Sequence, residues 1–175
     1  MSVSAFPFKK ARTTNATATS FTAKIPKATE PSGAGIFNLL DQANGLGGGF
    51  FVPKYLQLIP FGTDGNNDTF DMRLYGWNKL EGAAVWIPQL LIDVSVVLGD
   101  IAGTVIAADN FMADSLTVND GAIDNGIWRS FIDCQEDMVG SVMVHTRGCQ
   151  YIEFDFDLAG GQEAVSMNCL FRAME

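Results

Sequence analysis

Leu90-Leu91-Ile92-Asp93-Val94-Ser95-Val96-Val97-Leu98 sets the period of this chain. Leu90, Ile92, Val94, Val96 and Leu98 fall on one face of an extended strand, and Leu91, Asp93, Ser95 and Val97 fall on the other. A period of two belongs to β-structure; a helix would scatter the same residues around its circumference. Both faces carry apolar groups. The strand is therefore expected to be covered twice, by a second sheet and, on the far side, by a subunit.

The same period extends in both directions. Phe70, Met72 and Leu74 alternate with Asp71, Arg73 and Tyr75, and Ile152, Phe154, Phe156 and Leu158 alternate with Tyr151, Glu153, Asp155 and Asp157. Val165, Met167, Cys169 and Phe171 alternate with Ser166, Asn168 and Leu170. Further strands are expected at 55–60, 101–108, 115–119 and 138–146. Turn residues separate them: 62–68, Gly99-Asp100, Asn119-Asp120-Gly121, Asp124-Asn125-Gly126 and Gly160-Gly161. About eight strands without a sustained helical period predict an all-β sandwich or barrel.

Upstream of residue 50 the pattern breaks down. Residues 13–20 are Thr, Asn, Ala and Ser with no apolar period, and Pro7, Pro26 and Pro31 interrupt their surroundings. Phe6, Phe8, Phe21 and Ile25 stand as isolated apolar anchors. Such a segment cannot offset its own ordering entropy and must be either mobile or docked on something else. Ile36-Phe37-Asn38-Leu39-Leu40 is read as one short helical turn, and Gly45-Leu46-Gly47-Gly48-Gly49 as a hinge. The chain is thus divided into a basic N-terminal arm with its hinge, residues 1–49, and a β-sandwich body, residues 50–175.

Charge divides the chain as well. Lys9, Lys10, Arg12, Lys24 and Lys27 make residues 1–27 +5 with no acid among them, whereas the remaining residues sum to −14. With a pI near 4.4, the body would repel phosphate, which argues against direct nucleic-acid binding. Met1–Lys10 lacks the apolar run of a signal peptide, and 83–99, interrupted by Pro88, Gln89 and Asp93, is too short and too polar to cross a bilayer. Cys134, Cys149 and Cys169 are odd in number and lack metal-ligand spacing, so they are read as reduced, small apolar residues.

No catalytic set emerges. His145 is the sole histidine, too few for an imidazole-bound metal of the cupin type, and no nucleophile-elbow pattern accompanies it. It lies opposite the face set by Val142 and Val144, which predicts an exposed or interface position. Asp64-Gly-Asn66-Asn-Asp68 opens like a calcium loop but lacks the later glycine and glutamate, so a polar hairpin is the better reading. Gly45–Gly49 lacks the lysine of a phosphate-binding loop. Glu153, Asp155 and Asp157 share one strand face, with three readings open: a solvated surface, a cation site between subunits, or a landing strip for a basic partner, the arm itself included.

Tyr55-Leu-Gln-Leu-Ile-Pro-Phe-Gly-Thr-Asp64, Asp68-Thr-Phe-Asp-Met-Arg-Leu-Tyr-Gly-Trp-Asn78, Tyr151-Ile-Glu-Phe-Asp-Phe-Asp-Leu158 and Ala164-Val-Ser-Met-Asn-Cys-Leu-Phe-Arg172 give the body its outline. In layout it resembles the capsid decoration, or cement, proteins of tailed bacteriophages. The resemblance covers 50–175 in pattern and the arm in character. It implies a jelly-roll-like antiparallel β-sandwich with an extended N-terminal arm, acting as a non-enzymatic virion structural protein without cofactors. It further implies assembly in the host cytoplasm and a homotrimer bound between major capsid protein subunits on the capsid surface. On that expectation Phe6, Phe8, Lys9, Lys10, Arg12, Phe21, Lys24 and Lys27 meet the shell, while Leu91, Val97 and Leu170 line the subunit interface. The alternative is a carbohydrate-binding jelly roll with Trp77, Trp86 and Trp128 stacking on sugars; against it stands their ordinary use as core or interface residues.

Overall fold

A computed structural model of the chain describes residues 12–16, 21–41, 52–63, 69–99, 110–118, 142–157 and 166–174. Nine strands lie in them: β1 (Arg12–Ala16), β2 (Ile36–Asn38), β3 (Tyr55–Thr63), β4 (Thr69–Lys79), β5 (Trp86–Gly99), β6 (Asn110–Val118), β7 (Val142–His145), β8 (Tyr151–Asp157) and β9 (Ser166–Met174). Every pairing is antiparallel, and the described residues contain no helix that could cross a membrane.

The pairings are nested. β1 lies on β9, β2 on β8, β3 on β7 and β4 on β5, so the first strand meets the last and the innermost pair is a hairpin. A long antiparallel ribbon rolled up in this way is a jelly roll. One layer has the order β1-β9-β3-β7 and the other β2-β8-β4-β5. β6 pairs with the C-terminal ends of both β3 and β5, joining the layers at one side.

The alternation read from the sequence builds the core between the layers. Leu56, Leu58, Phe70, Met72, Leu74, Ile92, Val94, Val96, Phe156 and Phe171 are buried there. The layers meet through rings: Phe37 of β2 and Phe154 of β8 lie 4.7 and 4.9 Å from Phe171 of β9. Such edge-to-face and tilted contacts add about 0.5–1.5 kcal/mol each beyond the area they bury.

Three expectations need correction. Ile36–Asn38 is a strand rather than a helical turn, because its backbone pairs with Tyr151–Glu153. Residues 36–41 accordingly belong to the body and not to an arm ending at residue 49: Leu39 is wholly buried in the core, and its amide donates to the Gln150 carbonyl. Leu91 is also wholly buried inside the chain, so it cannot line a subunit interface. The cause is a bulge, in which Leu74 pairs with Ile92 and Tyr75 with Leu90. Leu91 is the extra residue, and one inserted residue shifts the in-out alternation by one place. Val97 and Leu170 sit in β5 and β9, but their side chains lie outside the described residues.

Candidate functional site: an N-terminal strap on an acidic and aromatic face

The outer face of β4 and β8 carries Arg73, Tyr75 and Trp77 on one strand and Glu153 and Asp155 on the next. Register places Arg73 opposite Asp155 and Tyr75 opposite Glu153. These are the outward positions of the same alternation that sends Phe70, Met72, Leu74, Phe154 and Phe156 into the core.

Residues 21–27 cross this face as a strap. Phe21, Lys24 and Lys27 are half-buried, while Thr22, Ala23, Ile25 and Pro26 between them are exposed. Partial burial at every third residue is the period of an extended, polyproline-like chain. Pro26 favours that form, since the residue before a proline is pushed out of the helical region. The strap then docks by backbone on the edge of β5: the Lys27 amide donates to the Trp86 carbonyl at 3.0 Å, and the Trp86 amide donates to the Lys27 carbonyl at 2.7 Å.

Each inward residue has a dedicated partner. The Arg73 guanidinium stacks 3.8 Å from the centre of the Phe21 ring, and its Nε donates to Asp93 at 2.7 Å. Lys24 Nζ reaches Glu153 Oε1 at 2.8 Å and Asp155 Oδ2 at 3.1 Å. Lys27 Nζ lies 4.2 Å from the centre of the Trp77 ring. The carboxylates are held from other sides too. Asp155 Oδ2 accepts from the amide and hydroxyl of Thr22 at 3.0 and 3.1 Å, and Glu153 Oε2 accepts from the Trp77 indole at 2.8 Å. Side-chain exposure of 10% for Lys24 and 7% for Asp155 means the pair is largely withdrawn from water. Burial by itself lowers the Lys24 pKa, yet the hydrogen bonds and charges of Glu153 and Asp155 outweigh it and leave it above the ordinary lysine value.

Of the three readings of the carboxylate strand, the described residues bear out the landing strip, at Glu153 and Asp155, with the arm itself as the basic partner. A solvated face is excluded for Asp155, which is 6% exposed. Phe21, Lys24 and Lys27, expected to meet a shell, are instead committed to their own body. Arg12 pairs through its backbone with Phe171, and its side chain, with Phe6, Phe8, Lys9 and Lys10, lies outside the described residues.

Two of the three tryptophans expected to stack on sugars, Trp77 and Trp86, are occupied. Trp77 and Trp86 are 1% and 6% exposed, and Trp86 packs edge-on against Tyr151 at 5.1 Å. Trp128, Cys134, the 64–68 loop and the Gly45–Gly49 hinge lie outside the described residues. His145 is half-buried opposite Val142 and Val144; its Nδ1 accepts from the Arg147 amide at 2.8 Å, and its ring packs on Tyr55. Cys149 is buried and free, receiving Gln89 Nε2 at 2.9 Å. Burial pushes its thiol upward, against the opposing effects of Gln89 and Arg147.

Sequence reasoning singled out Glu153 and Asp155 but missed Arg73 and Asp93. The available signal was an opposite-charge pair on outward positions of two successive strands, which a hairpin through Gly82 brings into register. Fold and strap together define the class: a jelly-roll sandwich whose own N-terminal segment is bound across one outer face. Comparisons with protein-family models, with curated proteins and with solved structures found no match.

Proposed function

We propose that the chain is a virion structural protein, a jelly-roll module that decorates and reinforces a phage capsid. It binds between major capsid protein subunits, as a homotrimer, and needs neither a catalytic group nor a cofactor. The observation that supports this reading is the double hold on the arm. β1 is laid on β9 in one layer, and the strap is fixed to β4, β5 and β8 in the other. A module that fastens shell subunits must carry load from its arm into its body, and two separate attachments do so.

The shell-facing role then falls to Phe6, Phe8, Lys9 and Lys10, ahead of both attachments, and to Arg12 at the first residue of β1, with Phe21, Lys24 and Lys27 as anchors. Each docked phenylalanine contributes about 1.5–3 kcal/mol before the ordering cost of the arm, and three arms on one trimer add affinity by multivalency.

The test combines solution mass with shell binding. Light scattering should give about three times 18.9 kDa. Deleting residues 1–11 should leave that mass, less the deleted residues, and a folded body, but abolish cosedimentation with shells of the major capsid protein. A monomeric full-length chain would sink the trimer, and undiminished shell binding after the deletion would remove the arm as anchor.

A further inference from the structure

The strap is fastened by charge and not by core packing. Among the described residues, neither buried cluster of the body includes any of residues 21–27. Their hold consists of Lys24 on Glu153 and Asp155, the amide and hydroxyl of Thr22 on Asp155, a cation–ring contact at either end, and the backbone bridge between Lys27 and Trp86. Ile25, the one large aliphatic side chain of the strap, is 70% exposed.

The face beneath keeps its own contacts when the strap is taken away. Arg73 pairs with Asp93, Glu153 accepts from the Trp77 indole, and Trp86 packs on Tyr151, all within the body. Asp155, held by Thr22 and Lys24, would turn to water. The chain is also fixed on either side of the strap. Upstream, β1 lies on β9; downstream, Pro31 is buried and the Gly35 carbonyl accepts from the Phe154 amide at 3.0 Å. Ala28, Thr29 and Glu30, between Lys27 and Pro31, are exposed and free to swing.

Segments with few buried apolar contacts open at a small fraction of the free energy of global unfolding, and attraction between charges weakens as salt rises. We infer that residues 21–27 are a latch, which lifts from the face as one unit while the sandwich stays folded, and that salt promotes the opening. Closed, the latch covers Trp77 and withholds Phe21, Lys24 and Lys27 from any partner. Open, it offers all four, with β1 still tying the arm to the body. The latch is a property of the chain alone and goes beyond the capsid reading, so either can fail without the other.

Amide hydrogen exchange followed by NMR on the wild-type chain reads the opening. The Thr22, Lys27 and Trp86 amides bond across the contact between strap and body. These three should share one protection factor, well below those of the Leu39 and Phe154 amides, which bond to the Gln150 and Gly35 carbonyls. Trp86 decides, because it belongs to β5 but its amide donates to the strap. A Trp86 amide as protected as that of Leu39 means that the strap leaves only on global unfolding, and overturns the inference. Raising NaCl from about 0.05 to about 1 M should lower the three protection factors about three-fold or more, while Leu39 and Phe154 keep theirs; three factors that stay constant or rise overturn it as well. In Lys24→Ala the three amides should exchange fast already at low salt and respond little to added NaCl. A variant with the full wild-type salt response shows that Lys24 is not the lock.

Discussion

At the scale of single residues, the tightest constraint is Gly76, buried in β4 beneath Cys149. A Cβ there would overlap Cys149 Sγ and lie 2.8 Å from its Cβ, closer than such atoms approach. The position needs glycine for space and not for backbone freedom. The bulge that turns Leu91 inward adds to the crowding, since the Leu91 side chain comes to 3.1 Å from the same point. Gly76→Ala should cost about 1–3 kcal/mol by forcing the 146–149 turn outward, measured as a lower urea midpoint. A midpoint unchanged within error would show that the turn yields freely.

At the scale of elements, the strap and β2 decide where the body begins. Leu39 packs in the core directly after β2, so Leu39→Ala should destabilise the whole domain by about 2–5 kcal/mol. Were residues 36–41 part of a detachable arm, the melting curve would barely change. Lys24→Ala leaves two carboxylates facing each other in a largely dry site and should cost about 2 kcal/mol. The pH dependence follows from the raised lysine pKa. A group held above its ordinary value stabilises the folded state fully below that value and loses the contribution as pH rises through the folded one. The gap in melting temperature between wild type and Lys24→Ala should therefore stay constant through neutral pH and close only above the ordinary lysine value of 10.5. A gap that closes between pH 7 and 9 would contradict the assignment.

At the scale of the whole molecule, nested pairing makes the chain's two ends interdependent. β9 pairs with β1 on one side and with β3, along all nine residues of β3, on the other. It also supplies Phe171, the ring on which Phe37 and Phe154 converge. Removing residues 166–175 takes a central strand from one layer and exposes the core of both. The truncated chain should show no cooperative thermal transition by circular dichroism, and a sharp transition in it would mean that the opposite layer folds alone.

Much of this architecture is legible in the sequence, because alternation is a local property. Phe70-Asp71-Met72-Arg73-Leu74 and Tyr151–Asp157 show which side chains go in and which go out wherever strands run straight. The clustering of lysines before residue 28 likewise announces a basic segment in search of acid. What only tertiary structure decided is register and destination. A bulge opposite Leu74 and Tyr75 moved Leu91 from the outer face to the core, because the extra residue drops out of the alternation while Ile92, Val94 and Val96 stay inward. Ile36–Asn38 became a strand because the edge of β8 offered it hydrogen bonds that three residues cannot make alone. Phe21, Lys24 and Lys27 found partners on β4 and β8, at sequence separations that no local pattern encodes. Composition set the sign of the arm, and long-range packing set which of its charges stay at home.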